Sequence, residues 1–243
     1  MTNLNTNLDN EILELQIRNI LMEYGITIEV SKKKLLDIVR STISFNKKLS
    51  WKNNSENLYI ATTPKELLSI YKLRSDIYNK LNYNHEFPDI IKGLNFDLYD
   101  KTSAILYTKI NNCITGTCRI IFDSKNKLPI DNNYSLDYMR IKNKQLGEVS
   151  RLIINNHNEG LNQEFKTLTQ GVYSIILNNS ISISLSVITN EHFKLYRKFG
   201  GFIIEKKLNT YGHINKPFII SSWDVSKVSN FFKKIFLKKL EVA

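Results

Sequence analysis

The chain reads as a mixed α/β (α+β) protein: a central, mostly antiparallel sheet flanked by helices, behind a helical N-terminal extension. Three observations predict this. Short β-branched apolar runs recur after residue 57, and two stretches before it carry apolar residues at helical spacing. In the C-terminal half, helical and strand-like segments alternate. The 243 residues are 42% hydrophobic and 11% aromatic, which supports a sizeable core and excludes a disordered tail.

The elements follow in order. Residues 11–24 form an amphipathic helix, with Ile12, Leu15, Asn19 and Met22 along one flank and Leu13, Ile17, Ile20 and Leu21 nearby. A second helix covers 31–43, with Ser31 as its N-cap, and the polar stretch 46–57 reads as a linker. The main domain opens with a strand over 58–61. Thr62-Thr63-Pro64-Lys65-Glu66 then starts a helix that runs to residue 80, with a cap and an early proline. Runs 104–110 and 114–122 flank Asn111-Asn112, a hairpin signal. Strand 148–154, helix 163–177, strand 182–188 and helix 191–199 come next. Gly200-Gly201 stops that helix before strands 202–208 and 218–225. Residues 226–243 form a basic amphipathic helix. The chain thus divides into an extension (1–57), a main domain (58–225) and a C-terminal helix (226–243).

Net charge is +11 with a pI near 9.4, which favours acidic partners, although the composition is biased toward Lys, Asn and Ile throughout. Against 27 lysines there are seven arginines, so an arginine here marks a need for a planar, bidentate fork. A nucleic-acid role finds no aromatic RNA-binding strand or helix-turn-helix, and Asp97, Asp100 and Glu148 would repel phosphates. Cys113 and Cys118 lack metal-ligand spacing, and His85, His157, His192 and His213 are scattered, so neither a metal site nor a disulfide framework is expected. No run reaches the roughly 18 apolar residues of a membrane span, and the first ten residues lack a signal peptide's apolar core. A cytoplasmic protein is expected, with membrane contact only through the C-terminal helix.

The chemistry concentrates at Gly147-Glu148-Val149-Ser150-Arg151-Leu152-Ile153-Ile154, a strand with a carboxylate and a guanidinium at its entrance. Burying such charges unpaired costs several kcal/mol, so they form either an ion pair or a working site. Other motifs accompany it in order: Arg74 with Tyr78, Asp97-Leu98-Tyr99-Asp100, Gly116-Thr117-Cys118-Arg119, and Leu195 to Phe202 with its paired glycines. This ordered set resembles the acyl-homoserine-lactone (autoinducer) synthases and the N-acyl amino acid synthases, acyltransferases of the GNAT fold.

The resemblance implies a GNAT-like sheet whose strands 148–154 and 182–188 splay apart to hold the pantetheine arm of an acyl thioester. It implies a backbone N–H near Leu152 as oxyanion donor and Glu148, directly or through water, as the base for the attacking amine. Arg74, Tyr78, Asp97, Asp100, Arg119 and Arg151 would bind the acceptor or organise the site. In a regular strand Glu148 and Arg151 point to opposite faces, so serving one site requires a bulge. After this strand, acetyl-CoA-using relatives carry a Gly-rich pyrophosphate turn. Here residues 155–162 hold Glu159 and a single glycine. The expected donor is therefore acyl-carrier protein, an acidic partner, rather than acyl-CoA, with no cofactor.

The expected function is transfer of a fatty acyl group to the amine of an amino acid or similar acceptor. Asn126-Lys127-Leu128-Pro129-Ile130 resembles the N-acyl amino acid branch, and the alternative is lactone synthesis from S-adenosylmethionine. A third reading is a non-catalytic acyl- or partner-binding relative.

Overall fold

The computed structural model describes residues 2–27, 32–51, 55–142, 144–155 and 163–237. The Ser31 cap, residues 156–162 with His157, and the last six residues lie outside them.

Helix α1 (Thr2–Glu23) is followed by α2 (Lys32–Asn46), β1 (Leu58–Ile60) and α3 (Pro64–Lys80). Then come β2 (Ser103–Ile110), β3 (Cys113–Phe122), the short α4 (Asp137–Ile141), β4 (Leu146–Ile154) and α5 (Gln163–Asn178). The chain continues through β5 (Ile183–Thr189), α6 (Asn190–Tyr196), β6 (Phe202–Leu208), β7 (Phe218–Trp223) and one turn of α7 (Asn230–Phe232). Seven strands form one sheet in the order β1-β2-β3-β4-β5-β7-β6. Only β4 and β5 run parallel.

Local sequence accounts for the elements that frame the site. Thr63 caps α3: its hydroxyl accepts from the Glu66 N–H, while Glu66 reaches back to the Thr63 N–H, and Pro64 occupies the first turn. Asn111 and Asn112 take left-handed φ values of 47° and 64°, the turn that matches the twist of a two-residue hairpin between β2 and β3.

Alternation along β2 feeds a core on each face of the sheet. Ile105 and Tyr107 point to the face covered by α1, α2 and α3, whereas Ala104 and Leu106 point to α5. The N-terminal helices share the first core: Ile17, Ile20, Leu21, Leu35, Ile38 and Val39 pack with Leu67, Leu68 and Tyr71 of α3. This corrects the expected flank of α1, because Ile12, Leu15 and Met22 are exposed. The stretch expected to be a linker is also packed. Asn46 is buried with its amide on the Ala61 carbonyl, Trp51 joins the α5-side cluster, and Ser50 exchanges hydrogen bonds with Asn179.

The C-terminal segment departs from one continuous helix. A 3-10 turn (Val225–Lys227) precedes α7, and a wide π turn (Lys233–Leu237) follows it. Phe232 and Phe236 are fully buried against Phe199, and Ile235 and Leu237 pack beside them, so these side chains serve the core while Phe231 stays exposed. No helix among the described residues is long and apolar enough to cross a membrane.

Candidate active site

β4 pairs with β5 only at Leu146, Gly147 and Glu148, opposite Ile183, Ser184 and Leu185. Beyond that point the two strands splay. The Asn155 N–H donates to the Thr115 carbonyl of the β3 side, so by alternation the backbone of Leu152 faces the gap. An N–H aimed into a gap between strands is a donor without a ladder partner.

On the other edge of β4, Ser150 opposes Arg119 and Ile153 opposes Thr117. Three steps on β4 match two on β3, which is a one-residue bulge. Arg151 sits in it with φ of 54°, a left-handed conformation that costs a non-glycine residue about 1–2 kcal/mol. The bulge resolves the facing problem. Glu148, Ser150 and Arg151 all reach the α3 face, while Val149 and Leu152 pack toward α5.

An alternating chain of charges covers that face. Arg74, on the buried side of α3, donates from Nη1 to Asp100 Oδ1 at 3.0 Å. Arg119 Nη1 bridges Asp100 Oδ1 at 3.1 Å and Asp97 Oδ1 at 2.7 Å, and its Nε donates to Ser150 Oγ at 3.0 Å. Arg151 Nη2 donates to Asp97 Oδ2 at 3.1 Å. The carboxylates are also tied to backbone: Asp97 caps the 3-10 turn Leu98–Thr102 through the Tyr99 N–H, and Asp100 accepts from the Asp97 N–H. Tyr78, one turn after Arg74, stacks against the Arg151 guanidinium at 5.1 Å, and Phe87 does so at 4.5 Å.

Burial opposes ionisation of Asp97, but the guanidinium groups of Arg119 and Arg151 outweigh it and hold its carboxyl well below the usual range. The arginines carry three positive charges against two carboxylates, a net +1. Arg74 Nε and Nη2 and Arg151 Nη1 are buried donors without a partner among the described residues. Arg74 is fully enclosed, so it is the idle donor of Arg151, at the more accessible end of this positive chain, that suits an anionic ligand.

Glu148 lies on the same face but outside the chain of pairs. It is buried, and its Oε2 accepts a 3.0 Å hydrogen bond from the Ile130 N–H. Burial pushes its carboxyl up to about 7, against the pull of the Ile130 N–H and Arg119. Sequence reasoning did not anticipate how Ile130 is held. Asp131 accepts from the Leu128 and Leu136 N–H groups, and Arg140 ties Asp131 to Asp123 with bonds of 2.6–2.9 Å.

A second feature escaped the sequence. β7 begins at Phe218, beside Thr189 at the far end of β5, so the β6–β7 connection (209–217) stands at the wide end of the splay. It reaches the segment after α3: the His213 N–H donates to Glu86 Oε2 at 2.7 Å, and Lys216 Nζ to Tyr83 Oη at 3.3 Å. Between these loops lies a cleft of about 600 Å³ bounded by Tyr83, Glu86, His213 and Lys216. Tyr211 turns its hydroxyl toward the site. Burial, followed by the charges of Glu148 and Glu86, pushes the phenol up to about 12.

On the α5 side the splay is not an empty tunnel. Val149, Leu152 and Ile154 of β4 join a cluster with Phe165, Tyr196, Phe199 and Phe236, whose rings lie 4.9–6.5 Å apart.

A splayed parallel pair within an antiparallel sheet gives the chain a GNAT-like fold, and its class is that of an acyltransferase. Residues 69–224 match the family of the N-acyl amino acid synthase FeeM, and the chain belongs to that family. The solved structure of FeeM, from uncultured soil microbes, aligns at a TM-score of 0.57 and 20% identity, over 74% of this chain and 93% of its own. The acyl-homoserine-lactone synthase LasI aligns at 0.53 and 15%, over 75% and 96%. The CoA-dependent acyl-homoserine lactone synthase BjaI aligns at 0.50 and 14%, over 70% and 79%. At these identities the structural likeness is one of fold. No curated protein matches the chain.

Proposed function

We propose that this acyltransferase moves a fatty acyl group from acyl-carrier protein to the amine of an amino acid. The observation that carries this reading is the pairing of opposites on the α3 face. A net positive network with an idle Arg151 donor lies beside one solitary carboxyl pushed up to about 7. An amino acid presents the complement: a carboxylate for Arg151 and an ammonium that must lose a proton.

Glu148, directly or through a water, takes a proton from the acceptor's ammonium near neutral pH. The freed amine attacks the thioester carbonyl in the gap between β4 and β5. A C–N bond forms, and the oxyanion is held by the Leu152 N–H. Collapse breaks the C–S bond, and the remaining amine proton passes by way of solvent to the departing thiolate. Tyr78 and Phe87 keep the Arg151 guanidinium flat, and Arg74, Asp100 and Arg119 fix Asp97 beneath it.

The donor assignment rests on charge. The net charge of +11 suits an acidic carrier protein, and residues 155–162, with Glu159 and one glycine, are poor for a diphosphate. The aromatic cluster beneath Leu152 must yield or rearrange to admit a long chain, so it sets the preferred acyl length.

The test offers acyl-carrier proteins and acyl-CoAs of varied chain length with a pool of amino acids and S-adenosylmethionine, and identifies products by mass spectrometry. An N-acyl amino acid formed from the carrier-protein donors is expected. A lactone, or no product with the carrier still bound, would overturn the reading. Glu148→Gln should lower kcat/KM by about 100-fold.

A further inference from the structure

Helix α1 bears apolar side chains on two opposite faces, and among the described residues only one of them is packed. At about 100° per residue, Leu13, Ile17, Ile20, Leu21 and Tyr24 fall on one side, and Ile12, Leu15, Asn19 and Met22 lie about 180° away. The first set packs on α2 and α3. In the second, Ile12, Leu15 and Met22 are 49%, 58% and 65% exposed, and Asn19 is exposed between them. A helix lying on its own protein normally turns a polar face outward. Scattered exposed apolar residues need no explanation. These are not scattered, because steps of three, four and three residues trace the seam of a coiled coil.

The seam itself indicates what covers it. With Ile12 and Asn19 at the a positions, Leu15 and Met22 fall at d. The flanking g positions are then Glu11 and Arg18, and the e positions Gln16 and Glu23, all exposed. In a parallel pair, g of one helix meets the following e of the other, so Arg18 faces Glu23 of a second copy, twice by symmetry. Arg18 gives up little to do so, since its contact with Glu14 is 3.9 Å long and exposed. An antiparallel pair would bury Asn19 against Leu15. The parallel pair sets amide against amide, the device that selects two parallel strands. The flanks are close to neutral and slightly acidic, which suits neither an anionic membrane nor an acidic carrier. Because the occupied face lies opposite the seam, the two bodies would stand on its outer sides.

We propose that α1 is a homodimerisation helix, pairing in parallel with α1 of a second copy through Ile12, Leu15, Asn19 and Met22. The seam spans two heptads and buries less than the roughly 1,000 Å² of a stable interface, so the dimer dissociates on dilution through the micromolar range. Nothing in this depends on the acyl-transfer reading.

Sedimentation velocity of the full chain, from low to several hundred micromolar, tests it. The wild type should move from monomer to dimer. Leu15→Glu combined with Met22→Glu should stay monomeric throughout, with an unchanged circular dichroism spectrum. Arg18→Glu and Glu23→Arg should each weaken the dimer by about 3-fold or more, and together restore it. Asn19→Cys, in a Cys113→Ser background, should form a disulfide-linked dimer on mild oxidation. A wild type monomeric at every concentration, or a dimer untouched by the double glutamate variant, overturns the proposal. Failure of both the charge swap and the cross-link overturns the parallel register.

Discussion

Asp97 and Asp100 share one face of the sheet with Glu148, yet the protein treats them in opposite ways. Each aspartate meets two arginines, and each also accepts a backbone N–H. Glu148 is nearly as deeply buried as Asp100, but among the described residues it receives one hydrogen bond, from a main-chain N–H, and makes no salt bridge. Asp97 is consequently held ionised, and Glu148 is poised to exchange a proton near neutrality. The difference separates building from chemistry. Paired charges fix the geometry at low proton affinity, and a solitary one keeps its proton available.

The largest break in this contrast comes from the paired side. Asp100→Ala strips Arg74 and Arg119 of a shared counter-ion inside a dry site. Removing one partner of a buried pair costs about 3–5 kcal/mol. Denaturant unfolding should record a loss of that size, whereas Glu148→Gln, which leaves no orphaned charge, should not destabilise at neutral pH.

The pH dependence sharpens the same comparison and runs in opposite directions for the two groups. Glu148 is raised from 4.5 to about 7, so in that window the folded protein holds a proton that the unfolded chain has released. Its contribution is therefore greatest below 4.5 and falls as pH rises through 7, by up to about 3 kcal/mol. Asp97 is lowered, so its contribution is present above 3.8 and lost as pH falls below that. Unfolding midpoints of the wild type should decline from pH 5 to 8, and those of Glu148→Gln should stay level over that range. Over the same range kcat/KM should climb about tenfold per pH unit below 7 and then level off. A rate profile without that inflection would remove Glu148 from the role of base.

Arg151→Lys probes the join between the two regions. Lysine keeps the charge but loses the flat fork that stacks on Phe87 and holds a spare donor. The acceptor KM should rise about tenfold with kcat nearly unchanged, as for a group that binds ground state and transition state alike. An equal fall in kcat would place Arg151 in the chemistry instead.

Much of this was legible in the sequence where local rules decide. Thr63-Pro64 with Glu66 announces the start of α3, and Asn111-Asn112 announces the β2–β3 turn. The resemblance named the candidate residues that share the α3 face, and the strand facing rule demanded a bulge between Glu148 and Arg151. Who pairs with whom was not legible. Asp100 could have served either arginine and in fact serves both, because tertiary packing brings α3 and β3 to one turn. Nothing local marks Arg151 as left-handed, since that conformation is imposed by the β3–β4 register. The face of α1 was misassigned because both of its sides are apolar and periodicity cannot choose between them. Tyr211 and Glu86 stayed hidden because their loops have no period, and the Glu86–His213 contact spans 127 residues.

That last contact makes the smallest prediction. The β6–β7 connection is tied across the wide end of the splay by the Glu86 carboxylate, and its turn needs Gly212. There φ is 55°, and a Cβ would stand 1.8 Å from Glu86 Oε2. Glu86→Ala removes the acceptor of the His213 N–H without touching the charge network. A hydrogen bond to a charged group contributes about 1.5–3 kcal/mol, so exchange of the His213 amide should speed up by about tenfold or more. Turnover should change less than about 5-fold, since Tyr211 and Lys216 remain on the connection, with the effect concentrated in the acceptor KM. Faster amide exchange with an unchanged KM would make the strap a structural tie. A raised KM would make it the outer wall of the acceptor site.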